Sequence, residues 1–97
     1  MNTKDKILDI SVNLARVSDW ILDENKQKRI DQFLGETEEI LKSIDKTKIR
    51  PDFSSTFSSF QKQFKRIKEK KNSMNKYYWA EEVLTWANIL QHRSKLL

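Results

Sequence analysis

The chain has 97 residues with a net charge of +5 at pH 7, 34% charged residues, no cysteine, one glycine and one proline. That length suits one domain with a continuous core, and the missing thiols exclude disulfides, thiolate zinc sites and cysteine nucleophiles. Glycine and proline, usually about 7% and 5% of residues, are too scarce for the tight turns of a strand-rich fold, so an all-helical chain is expected.

The first apolar seam runs Ile7, Ile10, Leu14, Val17 and Ile21 in alternating steps of three and four, broadened on one side by Leu8, Ala15 and Leu22. It predicts a helix over about 3–22. A second seam, Ile30, Phe33/Leu34, Thr37, Ile40/Leu41 and Ile44, predicts a helix over 25–45. Its phase is displaced by about two residues, which neither a stutter nor a stammer accounts for. The break therefore falls at 23–26, where Asp23 or Asn25 can cap the next helix. Gly35 lies on the polar side of the second helix and reads as a tolerated surface glycine.

Residues 45–51 carry no seam and end in the sole proline, which suits a helix opening, with Asp52 as a candidate cap. Phe53, Phe57, Phe60, Phe64 and Ile67 then form a 4-3-4-3 ladder with only polar residues between them. This is the clearest core signal in the chain and predicts a helix over 52–72. Asn72, Ser73 and Asn75 offer caps for a fourth helix over 75–96.

Short connections at 23–26 and 72–75 make successive helices antiparallel. The expected architecture is an up-down-up-down four-helix bundle occupying 1–97 as a single helical domain. Its rival is a pair of long helical hairpins completed or extended by dimerisation.

The fourth helix is broad in its apolar character. Trp79, Ala80, Val83, Trp86, Ala87 and Leu90 form one stripe; Tyr78, Ile89 and Leu96 form a second. Together they span roughly 200°, against the roughly 100° a core-facing helix needs. Trp79 and Trp86 are expected to be partly buried in the bundle. Trp20 lies off the seam of its own helix, and tryptophan is frequent at binding hot spots. The excess predicts an interface formed by Trp20, Tyr78, Glu82, Trp86, Ile89, Arg93 and Leu96, with Arg93, Glu82 and Lys76 as its polar rim. The partner would be another protein or a second copy of this chain, making homo-oligomers plausible.

The basic charge is local. Residues 61–76 carry Lys62, Lys65, Arg66, Lys68, Lys70, Lys71 and Lys76 against Glu69 alone, leaving a net −1 for the rest of the chain. With Tyr77 behind them, these cations are a candidate nucleic-acid patch, because lysines attract phosphate and aromatic rings stack on bases. Against this, they project around most of the third helix, and cations also complement a helix C-terminus. Protein binding is therefore the first expectation and nucleic-acid binding the alternative.

Other constellations carry little chemistry. His92 is the only histidine and has no carboxylate at i±4, so no metal site is expected. Glu36, Glu38 and Glu39 read as a solvated face without the histidines of a metal-carboxylate bundle. Ser54, Ser55, Ser58 and Ser59 have no recognisable base or oxyanion pocket, and one glycine cannot build a phosphate loop. No catalytic activity, cofactor or small-molecule substrate is expected. A charged start through Asp9 and no long apolar run argue against a signal peptide or membrane association and for a cytoplasmic location.

Overall fold

The computed structural model describes residues 2–69 and 75–97. Within them lie four α-helices: α1 (Thr3–Trp20), α2 (Gln27–Lys42), α3 (Pro51–Glu69) and α4 (Lys76–Arg93). Short 3-10 turns follow at Glu24–Lys26, Lys46–Lys48 and Ser94–Leu96, and there is no strand among the described residues.

Local chemistry sets the helix ends. The Asn2 side chain accepts the Asp5 N–H at 2.8 Å and opens α1. Two residues earlier than the seam predicts, α1 stops at Trp20, whose carbonyl accepts from the Asp23 N–H. Asp23 then caps the 3-10 turn that leads into α2 by accepting from the Asn25 N–H. α2 ends at Lys42 rather than 45. The Ser43 N–H returns to Glu39 and Ile40, and Lys6 Nζ donates to the Ser43 carbonyl at 3.0 Å, tying the start of α1 to the end of α2.

Pro51 is the first residue of α3, where its missing N–H costs nothing. Asp52, the expected cap, therefore sits inside the first turn, favourable there through its charge instead. The expected end of this helix at 72 lies outside the described residues. Asn75 caps α4 by accepting from the Tyr77 N–H at 2.9 Å. The predicted helix to 96 tightens after Arg93 into a 3-10 turn.

The core joins the three seams to the first stripe of α4. Ile7, Ile10, Leu14, Val17 and Ile21 meet Ile30 and Leu34, the whole Phe53–Ile67 ladder, and Trp79, Val83, Ala87 and Leu90. Phe53 and Phe60 are fully buried. The helices run antiparallel in chain order, and α1 packs closely along both α2 and α4. On its α4 flank, helical spacing places Ser11, Ala15 and Ser18, small side chains that let the two backbones approach. Ser11 and Ser18 are buried and satisfy their hydroxyls on the Leu8 and Ala15 carbonyls. On the α2 flank, Asn13 Nδ2 donates to Thr37 Oγ1 at 3.5 Å, and Trp20 meets Phe33 edge-on at 4.9 Å. α3 closes the bundle through bulky phenylalanines.

Candidate docking surfaces on the fourth helix

The structure covers the first apolar stripe of α4 from within. Trp79 is 3% exposed, more deeply buried than the expected partial burial, and its indole N–H donates to the Ile67 carbonyl at 3.1 Å. Trp86 is half-buried, its ring centroid 5.5 Å from that of Phe60. The remaining apolar surface of α4 falls on two flanks.

On the α1 side, Leu22, Tyr77, Tyr78 and Leu84 are 52%, 69%, 67% and 43% exposed. They surround a groove of about 470 Å³ whose floor includes Ser18 and Ala80. The small residues that let α1 and α4 approach make a shallow floor, and the large side chains on either helix stand up as walls. Val12, 47% exposed, shares the outer face of α1 with Asp19, seven positions on. The charges lining this groove are Asp19 and Glu81; neither makes an ion pair among the described residues.

On the α3 side, Trp86, Ile89 and Arg93 face Ser55, Thr56 and Ser59 across a groove of about 280 Å³. Arg93 Nη1 donates to Thr56 Oγ1 at 3.2 Å, joining the end of α4 to the start of α3. A second depression of about 300 Å³ shares Arg93 and is lined further by His92, Lys95 and Leu96.

The seven residues expected at an interface are thus distributed. Tyr78 lines the α1–α4 groove; Trp86, Ile89 and Arg93 line the α3–α4 groove, with Leu96 in the depression beside it. Glu82 is half-buried. Trp20 is half-buried against Phe33 and stacked near the Arg29 guanidinium at 5.9 Å, so its contacts lie within the chain. The sequence reading left out Leu22, Tyr77 and Leu84 as interface residues. Their signal was present: Tyr77 and Leu84 lie seven apart on one face of α4, and Leu22 already lay off the axis of the first seam.

The basic residues do not form one field. Lys62, Lys65 and Arg66 are exposed on α3, within about 100° of its outer side. Lys68 instead turns to α2, its Nζ 2.6 Å from Glu38 Oε2, with Lys42 3.7 Å from the same carboxylate. Glu38, expected on a solvated face with Glu36 and Glu39, is half-buried and ion-paired. The hydrogen bond from Lys68 holds its carboxyl below the ordinary glutamate value. This ion pair borders a cleft of about 400 Å³ between α2 and α3 that includes Leu41 and Phe64. Lys76 and Tyr77 open α4, and Tyr77 belongs to the α1–α4 groove. Lys70 and Lys71 lie outside the described residues.

Among the described residues, no three His, Cys, Asp or Glu side chains are placed to hold a metal ion. No helix among them is long and apolar enough to cross a membrane. No protein-family model, curated protein or solved structure matches this chain.

Proposed function

We propose that this bundle is a protein-binding adaptor or regulator, without catalytic activity of its own, that docks a partner helix in the groove between α1 and α4. The observation that carries this reading is the convergence of Leu22, Tyr77, Tyr78 and Leu84, all substantially exposed, around one groove. Exposed apolar side chains gathered in this way, rather than scattered singly, mark interaction sites. Covering them would contribute on the order of a few kcal/mol at about 25 cal/mol per Å², partly offset by the entropy of association.

The rim supports a choice of partner. In a symmetric pair packed groove to groove, both copies would bring Asp19 and Glu81 to one interface, and that concentration of like charge disfavours such a pair. The two carboxylates complement lysines or arginines flanking the apolar stripe of an amphipathic helix. The test uses a synthetic helical peptide with a leucine stripe flanked by lysines, titrated into the full chain by calorimetry. Saturable binding that Leu84→Gln strongly weakens, with helicity retained, supports the reading. Binding that survives Leu84→Gln and Leu22→Gln together overturns it. A concentration-dependent rise in solution mass without peptide would assign the groove to a second copy.

The nucleic-acid alternative draws support from Lys62, Lys65 and Arg66, which share the outer side of α3 and make no ion pair among the described residues. Phosphate-dominated binding falls by orders of magnitude between about 50 and 200 mM salt when several contacts form. Apolar docking barely weakens, so retention of RNA or DNA across that range separates the two.

A further inference from the structure

We propose that the α3–α4 groove around Arg93 is a separate binding site for an acidic peptide segment bearing a large apolar side chain. It lies on the opposite flank of α4 from the α1–α4 groove, and its charge has the opposite sign. Arg93 is exposed, uses one guanidinium N–H on Thr56, and has no carboxylate partner among the described residues. Its other donors remain able to grip a carboxylate in the two-point geometry that guanidinium favours. Thr56 is buried, so the hydrogen bond anchors Arg93 to a rigid part of α3 instead of leaving it free in solvent.

The surroundings fit the same ligand. Ser55 and Ser59 are exposed on the α3 wall and offer hydroxyl donors. No aspartate or glutamate lines this groove or the neighbouring depression, to which Lys95 adds a second cation. Trp86 and Ile89 supply an apolar wall, each half-buried and so already held by packing. A free phosphate would use the arginine and the serines but leave that wall wet. A peptide that places a leucine or phenylalanine beside its carboxylates uses both halves.

The experiment is a two-dimensional NMR titration of the isotopically labelled full chain. The probe is an acetylated, amidated Glu-Glu-Leu-Glu-Phe peptide, and its lysine-for-glutamate counterpart is the control. The Trp86 indole signal, assigned with Trp86→Phe, and the Ile89 methyl signals report on the groove. The acidic peptide should shift these signals saturably and the lysine peptide should not. Arg93→Gln should weaken binding about tenfold or more, as expected for loss of a charged hydrogen bond. Ser59→Asp, on the exposed wall of α3, should do the same without touching the core. Leu84→Gln should leave this binding unchanged, which distinguishes it from docking in the α1–α4 groove. The proposal fails if millimolar acidic peptide gives no saturable shift, or if both Arg93→Gln and Ser59→Asp bind as the unaltered chain does. It also fails if single-stranded RNA moves the same signals at lower concentration than the peptide.

Discussion

The Trp79 indole donates to the Ile67 carbonyl at 3.1 Å, so the first turn of α4 is bonded to the last turns of α3. One side chain therefore fills the core and bonds α4 to the backbone of α3. Trp79→Phe keeps most of the apolar volume but removes the donor. It should cost about 1 kcal/mol, the net worth of one buried hydrogen bond, measured by denaturant unfolding. A change under about 0.5 kcal/mol would mean that the ring alone matters.

Thr37 is fully buried in the seam of α2, and Asn13 faces it from α1. At 3.5 Å their hydrogen bond is longer than the usual N–H···O distance, yet each is the other's partner across the interface. Thr37→Val should destabilise by about 1–2 kcal/mol because it strands the Asn13 amide. Adding Asn13→Leu should recover most of that loss, since replacing both partners leaves nothing unsatisfied. A double variant as unstable as the sum of its single changes would contradict the pairing.

The legibility of the fold varied with how cleanly each helix divides its faces. α3 was readable because every position between its phenylalanines is polar, so only one face could be buried. α1 and α2 were findable from the phase of their own apolar seams. α4 was harder. Apolar or aromatic residues appear around most of its circumference, so periodicity located its core stripe but not which flanks its neighbours would cover. Tyr77 and Leu84 were not read as an interface because they share a groove with Leu22 at the α1 end, a neighbour that the spacing within α4 does not reveal. The pairing of Glu38 with Lys68 was also invisible, since the two lie thirty positions apart in the chain and meet only through bundle closure.

That ion pair makes a pH prediction. Glu38 titrates below its ordinary value, chiefly through the hydrogen bond from Lys68. A carboxylate with a depressed folded-state value adds stability above its unfolded value and loses it as pH falls through the folded one. Stability of the unaltered chain should therefore exceed that of Glu38→Gln at neutral pH, and the gap should close between about pH 5 and pH 3. The effect is small, because both groups are substantially solvated. Asp45, held low by the Thr47 hydroxyl and N–H, titrates with the same sign. Unfolding curves of both forms across this range provide the check; a gap that widens towards acid contradicts the assignment.

Gly35 offers the simplest test of whether the bundle is a rigid scaffold. It lies in the middle of α2, exposed, at a backbone φ open to any residue. A methyl group added there would meet no atom within 4 Å outside its own helical turn. Glycine in a helix interior costs roughly 1 kcal/mol relative to alanine, largely through the freedom it gives the unfolded chain. Gly35→Ala should therefore stabilise the protein by about that amount and raise Tm by about 4–8 °C for a domain of this size. Binding at both grooves should be unchanged, because neither includes Gly35. A lower Tm would mean that position 35 does not tolerate a side chain, and weakened binding in a more stable variant would mean that docking needs freedom in α2.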